Sequence, residues 1–264
     1  MKLTKGASQL TCPFFFGRIF LSVMQDVVAI ILAAGKGTRM KSDRAKVLHE
    51  IAGAPMILYV VEAALAVVEN VVVVIGHQAE GVREALESYT TLCFSVQEEQ
   101  LGTGHAVMTA MPEVRAGIHD GVILCGDTPL IKPETIRGLI DHHRATRGDL
   151  TLLATTLEEP FGYGRIISDA QGDVIRIVEE ADATDAEKKI SVVNSGTYCV
   201  KIDFLKKFLP GLRSDNAQGE FYLTDVVERA YEAGDPASLL EVRDTLEVLG
   251  VNTREELTRA ENLL

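Results

Sequence analysis

Two kinds of apolar spacing alternate along the chain. Val27 to Leu32 is an unbroken run of mostly branched apolar residues, too short for a helix core and closed by Ala33-Ala34-Gly35, which reads as a strand buried on both faces. From Pro55 the spacing changes. Met56, Leu58, Val60, Val61, Ala64, Leu65 and Val68 recur at helical intervals behind a proline suited to a first helical turn. Val71 to Ile75 predicts the next buried strand, followed by Gly76-His77, a charged helix from about Glu80 to Tyr89, and a strand at Phe94 to Gln97. Gly121 to Gly126 predicts a further central strand. Strands that alternate with helices imply an α/β fold with a doubly wound, mostly parallel sheet and right-handed crossovers.

Beyond about Leu157 the texture shifts. Phe161 to Ile167 and Val174 to Glu180 are short alternating segments on either side of an Asp-x-x-Gly turn ending at Gly172, and they predict an antiparallel hairpin laid against the edge of the main sheet. Val192 to Tyr198 reads as a strand carrying the amide of Asn194. Asn216 to Asp225 opens an amphipathic helix, and Gly250-Val251-Asn252-Thr253 precedes a last one.

Composition narrows the class. With 264 residues, 47% apolar and 24% charged, the chain can bury a substantial core. Its formal net charge of −12 argues against nucleic-acid binding, which depends on a basic surface to displace counterions. Positive charge aimed at phosphates must therefore be local. Cys12, Cys93, Cys125 and Cys199 show no C-x-x-C spacing, which fits a reducing cytoplasm and no zinc site. The adjacent His142 and His143 read as polar residues on a helix face. In the first 23 residues, Lys2 and Lys5 precede an apolar stretch that superficially resembles a leader. Arg18 interrupts it, no small-residue cleavage site is obvious, and it is too short to span a bilayer. The expectation is that translation starts at Met24 and that the extension is not native, with a flexible tail as the next alternative.

The chemistry begins where the first strand ends. Gly35 and Gly37 let the backbone approach an anion closely, and Lys36, Arg39 and Lys46 place positive charge around the turn. In a parallel sheet this is the ligand-binding end. A solvated strand-to-helix connection is the plainer alternative for a lone G-x-G. Gly35 to Met40 and Gly102 to Val107 both lack the third glycine of a dinucleotide fingerprint, and no P-loop motif occurs, so neither a dehydrogenase nor a P-loop NTPase is supported. Asp127, just past the Gly121–Gly126 strand, faces the same crevice and could ligate Mg²⁺; an Asx turn before Pro129 is the lesser alternative. Gln97 to Ala106, Q-E-E-Q-L-G-T-G-H-A, could read a base edge or could be a helix start capped by Thr103.

The L-A-A-G-x-G-T-R-M run, with Lys46 seven residues after Arg39, resembles the signature of sugar-nucleotide pyrophosphorylases, nucleotidyltransferases that join an NTP to a sugar 1-phosphate. The Gln97 to Ala106 segment is similar to the uracil-recognising loop of the uridyltransferase branch. The G-Y-G-R, I-V-E-x-x-D-A-T and N-S-G segments resemble, in that order, the elements that hold the acetamido sugar in N-acetylglucosamine-1-phosphate uridyltransferases. The match runs through seven motifs from Val27 to about Leu264. It implies nucleotide binding by Leu32, Ala33, Ala34, Gly35, Lys46, Gln97, Gly102 and Thr103, with Arg39 and Lys46 catalytic. It implies sugar contacts from Cys125, Gly126, Gly164, Glu179 and Asn194, and Mg²⁺ on Asp127 and Asn252. Read without the resemblance, Glu179 is an exposed hairpin carboxylate and Asn252 a turn or cap residue.

Under that resemblance the substrates are UTP and N-acetylglucosamine 1-phosphate, and the fold is Rossmann-like with an appended antiparallel hairpin. The chain divides into an extension over 1–24, a nucleotidyltransferase domain over 25–252 and a C-terminal helix over 253–264. Two other functions stay open: the same fold acting with another NTP or another sugar or polyol phosphate, and a non-catalytic nucleotide-sugar-binding subunit. Ala45 stands where the signature usually has proline, which predicts a looser loop around Lys46. Ala181 stands where relatives often have lysine, and Cys125 where some have tyrosine. No hexapeptide repeat is visible, so acetyltransferase activity is not expected and would fall to a separate acetyltransferase; a homo-oligomer is compatible with the sequence, and no membrane partner is expected.

Overall fold

The computed structural model describes residues 22–264, and the expectations placed on residues 1–21 lie outside them. The first half of the chain is β1 (Met24–Ala33), the small strands β2 (Glu50–Ile51) and β3 (Ala54–Pro55), α1 (Met56–Leu65), β4 (Val68–Ile75), α2 (Ala79–Ala85), β5 (Cys93–Val96), α3 (Thr103–Ala110) and β6 (Asp120–Cys125). The second half adds α4 (Pro133–Thr146), β7 (Leu150–Thr156), β8 (Arg165–Ser168), β9 (Val174–Val178), β10 (Val192–Lys201), α5 (Ile202–Phe208), α6 (Asp225–Glu232), β11 (Ser238–Glu241) and α7 (Arg254–Glu261).

The main sheet runs β11-β7-β10-β6-β1-β4-β5. β1 is parallel to both β4 and β6, and β4 to β5, so these strands deliver their C-terminal ends to one side of the molecule. β10 is antiparallel to β6 and β7. Both faces of the sheet are covered, as a strand without polar alternation requires. Val27, Ala29, Ile31 and Ala33 pack with Ile57, Val60, Val61, Leu139 and Ile140 from α1 and α4. Val28 and Ile30 point the other way, toward Val107, Phe204, Leu205 and Val227 from α3, α5 and α6. Each fully buried isoleucine in this strand contributes about 1.5–3 kcal/mol of hydrophobic transfer free energy. A third, small apolar group joins Ile51 and Met56 to Val251 and Ala260, and so ties the C-terminal helix beside β2 and β3.

The antiparallel hairpin of β8 and β9 forms as its alternation predicts, but its anchorage differs. It does not flank an outermost strand. β8 pairs with β10 at Val193, inside the sheet. This is possible because β10 bends between Asn194 and Thr197, where Gly196 takes φ +77°; before the bend the strand faces β8, after it β6. The helix expected to open at Asn216 starts at Asp225, and the residues before it form an ordered turn in which Gly219 N–H donates to Asn216 O.

His143 corrects the surface reading of the His142-His143 pair. It lies on the inner stripe of α4 with Ile136 and Ile140 and is 2% exposed. Its Nδ1 shares a 2.8 Å hydrogen bond with Thr151 Oγ1, while its Nε2 lies 3.9 Å from Asp120, too far to bond. Burial lowers its pKa, against the raising influence of the Asp120 carboxylate. A histidine whose folded pKa is depressed binds fewer protons folded than unfolded, so its contribution is complete above the unfolded value of about 6.5 and is lost as pH falls below it. Urea titrations between about pH 7 and pH 5 are therefore expected to show the wild type losing stability more steeply than His143→Gln; parallel pH curves would contradict this.

Candidate active site

The strand ends set the site. β1 ends at Ala33 and is followed by Ala34, both buried, and half-buried Leu32 gives its carbonyl to Gly126 N–H at 2.9 Å. Gly35 is exposed, and a Cβ added there would meet nothing within 4 Å: the turn is open on that side. Gly37 is different. It takes φ +64°, and a Cβ there would lie 2.5 Å from Lys46 Cβ, so the missing side chain is what lets the Lys46 stem cross the turn.

Lys46 then reaches the C-terminal end of β6. Its ammonium donates to Asp127 Oδ2 and, at 2.6 Å, to Asn252 Oδ1. Arg39 Nη2 donates to the same amide oxygen at 2.7 Å. Four of the residues picked out in the sequence thus meet at one point. The loop around Lys46 is also held more firmly than Ala45 alone suggests: Ala45 N–H donates to Gln78 Oε1 at 2.8 Å and Gln78 Nε2 to Asp43 O at 2.7 Å, the first a bond no proline nitrogen could make.

Asn252 is aimed by its surroundings. Its Nδ2 donates to Gly250 O at 3.0 Å, which turns Oδ1 toward the cations, and Val251 N–H donates to Asp127 O at 2.8 Å. Downstream, Thr253 caps α7 in a capping box with Glu256. Tyr163 closes the other side, its hydroxyl meeting the Gly250 amide; burial, then the nearby Glu256 carboxylate, push its pKa up to about 12.

The donor chemistry suits a hard divalent cation. A carboxylate and an amide carbonyl already share one positive group, and among the described residues no cluster of three His, Cys, Asp or Glu side chains could hold a metal. A cation taken up here would draw two oxygens from the protein and the remainder from phosphates and water, the habit of Mg²⁺ rather than Zn²⁺.

On the opposite flank of the glycine turn, past β4, lies the Gln97 loop. Gln97 is 3% exposed; its Nε2 donates to Gly102 O at 3.0 Å and sits 3.0 Å from His105 Nδ1. At Gly76 an added Cβ would lie 2.9 Å from Ala34 Cβ and 3.0 Å from Gln100 Nε2, so this loop abuts the turn directly. Gly102 takes φ +106° against Phe221, and α3 starts at Thr103. Thr103 does not cap it, however, because its hydroxyl accepts from Leu223 N–H at 3.0 Å.

The remaining candidates gather on the β6 side. Gly126 packs so tightly that a Cβ would be 3.0 Å from both Ile57 and Leu32. Cys125 Sγ lies 3.5 Å from Gly196 O; burial, then the Asp127 carboxylate, push its thiol pKa up to about 12, which favours the protonated form at neutral pH. Asn194 donates to Tyr198 OH at 2.6 Å and accepts from Gly196 N–H. Gly164 lets Glu179 approach: an added Cβ would be 3.4 Å from its Oε2. Glu179 accepts from Thr224 Oγ1 at 3.2 Å, and desolvation raises its pKa. It is half-buried within this group, not an exposed hairpin carboxylate.

Sequence reasoning named none of the supports: Tyr163, Tyr198, Thr224 and Glu256. Tyr163 lies in the G-Y-G-R segment but is given no role there, and Glu256 has a local signal in the Thr-x-x-Glu spacing of a capping box.

The fold is that of a nucleotidyltransferase. A Bacillus anthracis structure described as a glucose-1-phosphate thymidylyltransferase, in complex with sucrose, superposes with a TM-score of 0.72 over 90% of this chain and 94% of that one, at 21% identity. Residues 29–188 match the MobA-like NTP transferase domain, and the chain belongs to that family. It is 53% identical over 238 residues to the bifunctional protein GlmU of Geobacter metallireducens, covering 90% of this chain and 50% of that protein. It is 47% identical over 236 residues to the bifunctional protein GlmU of Desulfotalea psychrophila, covering 89% and 69%. The chain thus spans about half the length of relatives such as the Geobacter protein.

Gly37→Ala tests the crossing at the turn. Left-handed backbone costs a non-glycine residue about 1–2 kcal/mol, and relief of the clash must move Lys46. Both lower stability in urea and a loss of nucleotidyl transfer larger than the unfolded fraction explains are expected; unchanged stability and turnover would contradict the geometry.

Proposed function

We propose that this chain transfers UMP from UTP to N-acetylglucosamine 1-phosphate, releasing pyrophosphate. The observation that carries the reading is the single ammonium of Lys46 shared by Asp127 and Asn252, residues 81 and 206 positions away, with Arg39 on the same amide oxygen. A cation bound by opposed oxygens at the open end of a parallel sheet, beside an exposed glycine turn, supports phosphate chemistry rather than mere nucleotide retention. The base loop at Gln97, Gly102 and Thr103, and the group of Cys125, Gly126, Gly164, Glu179 and Asn194, lie on opposite flanks of that turn. That division suits a nucleotide on one side and a sugar phosphate on the other.

A phosphate oxygen of the sugar 1-phosphate attacks the α-phosphorus in line. The new P–O bond forms as the bond to the β-phosphate breaks, and pyrophosphate leaves with the electron pair. No side chain serves as nucleophile and no proton needs to be abstracted. Both reactants are anions, so the chain's task is to hold them together and to neutralise charge. The turn at Leu32 to Gly35 presents backbone to the triphosphate. Lys46 and Arg39 exchange their present oxygen partners for phosphate oxygens, while Glu179 and Asn194 accept and donate hydrogen bonds to the sugar. Asp127 and Asn252 would hold Mg²⁺, which supplies further charge neutralisation on the phosphates when bound.

Pyrophosphate release measured over the four NTPs and several sugar 1-phosphates, with and without Mg²⁺, tests the assignment. Turnover is expected with UTP and N-acetylglucosamine 1-phosphate and only with Mg²⁺. Preference for another pair would assign another reaction on the same fold, and nucleotide-sugar binding without turnover in any combination would make the chain a binding subunit. Lys46→Ala and Asp127→Ala are each expected to lower turnover about a hundredfold or more, the ~3 kcal/mol typical of one lost charge-stabilising contact, with the fold intact by circular dichroism. Glu179→Gln is expected to raise KM for the sugar phosphate and leave KM for UTP near normal; an effect confined to UTP would remove Glu179 from the sugar side.

A further inference from the structure

Asn252 sits in a connection, where a side chain needed to point at a cation has no regular element to hold it. Three of its four polar anchors are accounted for by neighbours on the cation side: Oδ1 on Lys46 and Arg39, and Nδ2 on Gly250 O. The fourth comes from the far side. Glu256 Oε2 accepts from Asn252 N–H at 2.6 Å and, at the same time, from Thr253 N–H at 2.9 Å.

The second of these bonds belongs to an ordinary capping box, in which the glutamate three positions into the helix returns to the N-cap amide while the threonine hydroxyl accepts from Glu256 N–H at 3.2 Å. The first does not. It extends the carboxylate's reach one residue upstream, onto the backbone of the residue whose amide oxygen faces Lys46. α7 is itself docked through Ala260 against Ile51, Met56 and Val251, so the carboxylate is carried on a packed support. Displacement of the Asn252 backbone away from Asp127 would break this charge-assisted hydrogen bond, while the bond to Gly250 O resists rotation of the side chain.

We propose that Glu256 is a positioning residue that fixes the backbone of Asn252 and thereby sets the affinity of the Asp127–Asn252 pair for a divalent cation. This rests on the reading of that pair as the cation site. Outer partners that orient metal ligands typically contribute 10–100-fold to metal affinity. Glutamine at the same position keeps a side-chain carbonyl that can accept both amides, whereas alanine keeps nothing. Thr253→Ala removes the hydroxyl half of the cap and leaves the Glu256–Asn252 bond in place.

Binding of Mn²⁺ alone, followed by electron paramagnetic resonance with no substrate present, tests the proposal. Asp127→Ala is expected to abolish binding, Glu256→Ala to weaken it about tenfold, and Glu256→Gln to bind within about threefold of the wild type. Thr253→Ala should melt earlier yet hold Mn²⁺ as the wild type does. Wild-type affinity in folded Glu256→Ala, or an equal loss in Thr253→Ala, overturns the positioning role while leaving the site reading intact. Unchanged affinity in Asp127→Ala overturns the site itself and the proposal with it. Independently of whether the variants fold, the Asn252 amide of the wild type should exchange with solvent slowly by NMR; exchange as fast as an exposed loop amide overturns the proposal.

Discussion

One ammonium group held between two oxygen ligands from distant parts of the chain is the constraint around which the rest is arranged. Lys46 comes from the loop after β1, Asp127 from the end of β6, and Asn252 from the approach to α7. Parallel pairing of β1 with β4 and β6 brings the first two to the same end of the sheet. The third arrives because Val251 is pinned twice, by its backbone bond to Asp127 O and by apolar contact with Ile51 and Met56. Removal of Lys46 or of Asp127 would leave the other's largely buried charge without its ion partner, since their side chains are only 12% and 23% exposed.

The charge balance of the chain makes this arrangement economical. A net charge of −12 gives no general attraction for triphosphates, so phosphate affinity must come from a few cations placed where the crevice needs them. Lys46 is held by Asp127 and Asn252, and Arg39 by Asn252, which keeps both cations aimed at the crevice. The proposed reaction then requires an exchange of partners at atoms already in place, the condition under which electrostatic stabilisation costs little reorganisation. Beside the cations, the Arg165–Glu180 pair, at 2.7 Å, and the Gly162 N–H bond to the same carboxylate oxygen fix the loop that carries Tyr163 toward Gly250.

Much of the fold was legible because the central strands are apolar on both faces and α1 repeats at helical spacing. Elements decided by tertiary context were not. α5 and β11 are short, and β10 turns from the hairpin to β6 only because Gly196 bends it. The polarity of adjacent His142 and His143 suggests a surface pair, whereas the spacing of His143 from Ile136 and Ile140 places it on the buried stripe. In the site, residue types and order point to the glycine turn and the aspartate, and the family resemblance to Glu179, Asn194 and Asn252; of these the structure brings Asp127 and Asn252 together with Lys46 and Arg39. The supports did not show, because Gln78 and Thr224 act across the fold on atoms that no local motif records, and Tyr198 reaches Asn194 only through the bend of β10. Ala45 illustrates the limit: the sequence suggests a looser loop, whereas the structure uses the amide that alanine retains.

The most direct test of the central claim is the position of a divalent cation in crystals grown with Mn²⁺ and a non-hydrolysable UTP analogue, located by anomalous scattering. The account predicts a single peak on Asp127 and Asn252, with Lys46 Nζ shifted from those oxygens to phosphate. A peak elsewhere, or a Lys46 that still bridges Asp127 and Asn252 with nucleotide bound, would contradict it.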